Sequence, residues 1–218
     1  MKFINPINIL VLVTFIMGLI FLNKKNRIKF LLFLLLTFCL LIEILSIILL
    51  NYHQNITILY SLGFITHNTI WLFMIFSVFK KRYYRKLIIL FFVSFSLFNL
   101  FFIEKQELNH FTFIFGALLY IFILLFECSK TLLSDNLEIF KSNDFLVLLA
   151  PVMFFFGFSF IFGFRNSELR FVKVLFETEL YTFISNFVNF LYYFIILDRK
   201  STRLNSSHVS QSRMPSSA

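Results

Sequence analysis

Lys80-Lys81-Arg82-Tyr83-Tyr84-Arg85-Lys86 separates two apolar stretches, Ile56–Phe79 and Leu87–Ile103. Each stretch is about 20 residues long and nearly free of charge, enough for a helix to cross a ~30 Å hydrocarbon core. Short loops rich in Lys and Arg stay in the cytoplasm, so this run decides on which side of a membrane every other segment lies. Tyr83 and Tyr84 add rings suited to the headgroup layer. A basic run with aromatics also has the composition of a nucleic-acid patch, but two spanning segments flank this one directly, which argues against nucleic acid as a partner.

Working outward, the whole chain has the same texture. Hydrophobic residues make up 59% and charged residues 14%; ordinary soluble domains run at ~45–50% and ~25%. The apolar residues come in long blocks rather than at a period of 3.6, which is the membrane pattern. The predicted fold class is therefore all-α, a polytopic transmembrane helix bundle with the lipid bilayer as its solvent. Seven spans are expected, at about 5–22, 30–50, 56–79, 87–103, 111–126, 145–164 and 174–197. The first reads as a retained helix rather than a signal peptide, because only Lys2 precedes it and no small-x-small cleavage site follows. In the seventh, Glu177 and Glu179 occupy the first turns, which makes Leu180 the alternative start.

Counting Lys and Arg by loop orients the bundle. Loops 23–29, 80–86 and 127–144 carry four, five and two. The amino end and loops 51–55, 104–110 and 165–173 carry one, none, one and three. The bias places the amino end outside and the end of the last span in the cytoplasm. The topology determinants are Lys80, Lys81, Arg82, Arg85 and Lys86. The one dissent is loop 165–173, with Arg165, Arg170 and Lys173. In the longest loop, 127–144, Ser134 and Asp135 are placed to cap a short surface helix carrying Leu137, Ile139 and Phe140. In the sixth span Pro151 predicts a kink, and Ser159 with Gly163 forms a small-xxx-small face for close helix contact.

Charge inside hydrocarbon costs roughly 2.5–3.5 kcal/mol at a helix centre, so Glu43 in the second span needs an account. At ~1.5 Å per residue Glu43 lies ~20 Å above the cytoplasmic face, His67 and Asn99 ~18 Å and Asn186 ~17 Å. Asn68, Thr69 and Asn189 sit nearby in sequence. These positions predict an intramembrane polar layer in which Glu43 and His67 pair, either as a ligand or proton site or as interhelical hydrogen-bond glue worth ~0.6 kcal/mol per bond. His53, His110, Glu168, Glu177 and Glu179 form a looser set in the outer loops. No metal-ligand spacing, P-loop, GxGxxG or GxSxG occurs, so no metal, cofactor or catalytic residue is predicted. Cys39 and Cys128 read as packed free thiols.

Two stretches carry resemblances. Asp198-Arg199-Lys200-Ser201-Thr202-Arg203-Leu204-Asn205-Ser206-Ser207-His208, with the ending Ser212-Arg213-Met214-Pro215-Ser216-Ser217-Ala218, resembles an in-frame translation of a short-read sequencing adapter. On that reading residues 198–218 are an artefactual, disordered tail, and the native frame is expected to be cut at Leu197. Removing the tail's four basic residues and one acidic residue lowers the net charge from +9 to +6. From Leu137 to Leu197 the order is a polar loop, Asn143-Asp144-Phe145, an apolar helix with Phe154-Phe155-Phe156-Gly157, a polar loop and a last helix with Asn186 and Asn189. With the seven segments, this layout resembles a group of small seven-helix inner-membrane proteins of Bacteroidetes-type bacteria, to which no chemistry is assigned. More broadly it is similar to the seven-helix membrane modules of bacterial sensors. Helix count, small loops and the lack of a catalytic motif make the leading expectation a sensory or signalling membrane module that acts through a cytoplasmic signalling protein or an output domain lost past Leu197. The alternative is a small transporter or transporter subunit, for which discontinuous helices at the polar layer would be the mark. A membrane enzyme would need clustered carboxylates or histidines at an interface, and the outer set is too loose for that.

Overall fold

The computed structural model describes residues 6–22, 26–80, 84–105, 107–135, 137–163, 172–174 and 178–198. The helices are α1 Pro6–Phe21, α2 Arg27–Asn51, α3 Thr57–Val78, α4 Arg85–Phe98, α5 His110–Leu133, α6 Asn143–Gly163 and α7 Leu180–Asp198. A π-helical turn, Asn99–Ile103, continues α4. Among the described residues the only β-type pairing is one isolated bridge between Lys173 and Glu179. An apolar chain in lipid must satisfy its backbone groups internally, and helices do so segment by segment.

Local chemistry sets the helix ends. Pro6 opens α1, where a missing N–H costs nothing. The Asn26 side chain accepts from the Ile28 N–H and caps α2. The Ser142 hydroxyl accepts from the Phe145 N–H at the start of α6. His53, Lys80 and Asp135, each just past the end of a helix, take φ values of 54°, 56° and 52°. This left-handed step unwinds α2, α3 and α5 and turns the chain back. Lys80 thus both ends α3 and begins the basic run.

By length and composition six of these helices can cross a membrane: α2, α3, α4 with its π-turn, α5, α6 and α7. The chain is a multi-pass membrane protein. Helix α1, the first of the seven expected spans, is the short one: its 16 described residues reach ~24 Å. It is nonetheless apolar and packs between α2 and α7. Helix α5 runs seven residues past the predicted Phe126, because Glu127 is buried and bonded rather than solvated. The predicted surface helix after it does not form. Residues 134–135 and 137–141 are in turns, with Ile139 against the core and Phe140 edge-on to Phe145 at 5.0 Å. Helix α7 begins at Leu180, the later of the two starts. Residues 199–218, most of the adapter-like tail, lie outside the described residues.

Sequential helices pack as antiparallel neighbours, and α1 also meets α7. Helix α3 is central, touching α2, α4, α5 and α6. The contacts α1–α2, α2–α3, α3–α6, α6–α7 and α7–α1 close a ring of five helices, with α4 and α5 packed on its outside. Leu125, Phe122, Phe156 and Phe190 face outward, as suits a lipid boundary, while Trp71, Phe113, Tyr120, Phe155 and Tyr192 are fully buried. Trp71–Tyr120 at 6.2 Å and Tyr120–Phe155 at 5.1 Å are edge-to-face pairs, each worth about 0.5–1.5 kcal/mol beyond area burial.

Close helix contact falls on other glycines than predicted. Gly163 is exposed with nothing within 4 Å of where its Cβ would be, and the Ser159 hydroxyl has no hydrogen-bond partner. The tight point between α6 and α7 is Gly157 against Val188, and Gly116 of α5 is tight against Asn68 of α3 and Phe92 of α4. Helix α6 runs through Pro151 without a break in its helical residues.

Candidate functional site

The five-helix ring surrounds a half-open cavity of about 420 Å³. Its lining near the helix ends comes from Ile7, Leu50, Leu108, Phe162 and Tyr181, all at the end of the bundle opposite the basic loops. Deeper it meets Phe38, Cys39, Tyr60, Phe64, Phe154, Asn189 and Tyr193, and His67. Glu43 stands in the α2 wall. Its carboxylate accepts from the Asn8 amide of α1, and the Ser46 hydroxyl bonds the Glu43 carbonyl at 2.8 Å, one turn on. Among the described lining residues Glu43 is the one carboxylate, and none is Lys or Arg.

The floor below His67 is aromatic. Trp71 Nε1 is a donor only, and it lies 3.3 Å from His67 Nε2 and 3.2 Å from the Tyr192 hydroxyl. The Tyr192 hydroxyl is also 3.2 Å from His67 Nε2. Trp71 thus donates its one N–H into the pair formed by Nε2 and the Tyr192 hydroxyl, while His67 Nδ1 is buried without a hydrogen-bond partner. The His67 ring packs against Phe154 and Phe155 at 5.2 and 5.7 Å. With Tyr120 and Phe155 behind it, this plug closes the cavity toward the basic end.

The four residues predicted for a polar layer divide three ways. Glu43 and His67 line the same cavity but do not bond each other: Glu43 is held by Asn8, and His67 by Tyr192 and Trp71. Asn99 lies elsewhere. It sits only four residues from the end of the π-turn, so it is ~6 Å from that helix end rather than at mid-depth. Its amide donates to Glu104 at 2.7 Å, to Asn109 and to Thr112 at 3.3 Å. The Asn109 N–H bonds the Ser61 hydroxyl, and its amide bonds the Ser96 carbonyl. This second buried network ties the loop after the π-turn to α3, α4 and α5. Asn186 is exposed on α7, one step off the stripe formed by Val188, Asn189, Tyr192, Tyr193 and Ile196. Asn189 takes the place in the wall that Asn186 was expected to fill, its amide donating to the Ser185 carbonyl at 2.8 Å.

Of the topology determinants, Lys80 and Lys86 are exposed, and Lys81 and Arg82 lie outside the described residues. Arg85 is half-buried with its guanidinium 5.7 Å over the Phe73 ring. Tyr84 does more than anchor a headgroup layer. Its hydroxyl donates to Glu127 Oε1 at 2.6 Å, and that bond, with burial, pushes the phenol up to about 12. In the outer loops His53 and Glu179 are exposed, and Glu168 and Glu177 lie outside the described residues. His110 packs edge-on against Phe162 at 4.7 Å. Among the described residues no three His, Cys, Asp or Glu side chains are placed to share a metal.

Sequence reasoning missed Asn8, Tyr60, the Trp71–His67–Tyr192 triad and the Glu104–Asn109 network. Only Glu104 and Asn109 had a signal: polar residues crowded into a loop that follows Asn99 within ten positions. Comparisons with protein-family models, with curated proteins and with solved structures give no match, so the reading of this cavity stands on its own geometry.

Proposed function

We propose that this chain is a sensory membrane module of a bacterial inner membrane, one that binds a small molecule in the five-helix cavity and passes occupancy to a cytoplasmic partner. The observation that carries the reading is a cavity walled by five helices, lined among the described residues by one carboxylate, Glu43, and closed on one side by the Trp71–His67–Tyr192 plug. Its volume falls in the ~300–1,000 Å³ range of small-molecule sites. Retention of the basic loops 23–29 and 80–86 in the cytoplasm puts the mouth on the extracytoplasmic side and the plug toward the partner. A bound molecule that shifts α3 or α7 moves the ends of those helices on the basic side, which are the surfaces a partner can read.

Glu43 inside the cavity favours one second reading, a small proton-coupled transporter. Against it, the five cavity helices are continuous α-helices over their described ranges, and the one irregular turn, Asn99–Ile103, lies outside the ring. Two measurements decide. Reporters fused after Leu197 should give cytoplasmic fluorescence and no periplasmic phosphatase activity; the reverse puts the mouth in the cytoplasm and ends the sensory reading. Proteoliposomes should bind probe without accumulating it; Glu43-dependent uptake selects the transporter.

A further inference from the structure

We infer that the cavity takes a lipophilic organic cation, an amine or quaternary ammonium carrying an apolar group. The inference rests on the ligand-binding reading above and names its ligand class. Two observations carry it. First, Glu43 has an amide from Asn8 but no basic counterpart among the described lining residues. A carboxylate in a low-dielectric wall is unfavourable unless its charge is paired, and an occupant with a positive charge supplies the pairing. Second, the walls around it are aromatic: Phe38, Tyr60, Phe64, Phe154, Phe158 and Tyr193. Aromatic faces carry negative quadrupole density and attract a desolvated cation. The same lining disfavours an anion, which would meet Glu43 and no Lys or Arg. A neutral apolar molecule would fill the volume yet leave the carboxylate unpaired.

Trp71, the one tryptophan of the chain, hydrogen-bonds to His67 in the cavity floor and reports occupancy by its fluorescence. The test uses the full chain in lipid nanodiscs, titrated with benzyltrimethylammonium and with neopentylbenzene, its uncharged isostere. The expected result is a saturable Trp71 signal for the cation, with the neutral isostere bound roughly 10- to 100-fold more weakly. Glu43→Gln should cut that preference about 10-fold by weakening the cation, and the part that remains is what the aromatic walls supply. The wild-type comparison stands even if the variant does not fold. Equal affinity for the two probes, or a preference undiminished in a folded Glu43→Gln protein, overturns the cation assignment and leaves a binding cavity. Failure of both probes to perturb Trp71 or raise the melting temperature overturns the cavity reading and the cation assignment together.

Discussion

Replacing Gly157 with alanine tests the packing that forms the cavity wall. A Cβ at this position would stand well under 3.0 Å from Val188 Cγ1, 3.3 Å from Cγ2 and 3.4 Å from Cβ. Carbon atoms rest at ≈ 3.5–4.0 Å, so the first contact needs a displacement of several tenths of an ångström at least. Valine in a helix has one strongly preferred rotamer and cannot swing aside. The strain therefore passes to the backbone, and α6 and α7 must part. Overpacking of this kind costs about 1–3 kcal/mol. Val188→Ala removes Cγ1 and Cγ2 and leaves only the tolerable 3.4 Å contact, so the double variant should recover most of the loss, with a coupling energy on the order of 1 kcal/mol or more. Gly163→Ala is the control: its Cβ enters open space, and alanine is the better helix former by about 1 kcal/mol at most. The assay is reversible denaturation in detergent micelles, followed through Trp71. Because Phe154 and Phe158 on α6 face Asn189 and Tyr193 on α7 across the cavity, Gly157→Ala should also weaken probe binding. A Gly157→Ala protein as stable as wild type, or no coupling with Val188→Ala, would refute the reasoning.

Other substitutions probe the remaining contacts. Tyr84→Phe removes the hydroxyl bonded to buried Glu127 and should cost about 1–3 kcal/mol. Because the folded phenol is raised from 10.0 to about 12, that contribution is fully present below pH 10.0 and is lost as pH rises toward 12, so the wild-type and Tyr84→Phe denaturation midpoints should converge there. Asn99→Ala removes the donor shared by Glu104, Asn109 and Thr112 and should cost on the order of 2–3 kcal/mol in the same assay; a neutral result would mean the network is not formed. Asn186→Leu on the outer face should be neutral or favour insertion, whereas Asn189→Leu in the cavity wall should change probe affinity; equal effects at the two positions would contradict the assigned face of α7.

Membrane class, the approximate position of each apolar segment and the alternation of basic loops followed from the sequence alone. Those properties depend on runs of residues, and lipid imposes one local solution, the helix, on any long apolar run. Depth was also partly legible, since Glu43 and His67 do reach one cavity when residues are counted from the loops. Which way a side chain points around its helix was not. The α2, α3 and α6 blocks, apolar on all sides, carry no clear periodic stripe; in α7 the i, i+4 series Tyr181, Ser185, Asn189 and Tyr193 does mark the cavity face and leaves Asn186 off it. The partner of each polar group was hidden for the same reason. Asn8, 35 positions from Glu43, and Tyr192, 125 from His67, become neighbours only when α1 and α7 close the ring. The tertiary structure decided the pairing, because hydrogen-bond partners in a bundle are set by helix rotation and packing around α3, and Gly116 and Gly157 set how closely α3 meets α5 and α6 meets α7.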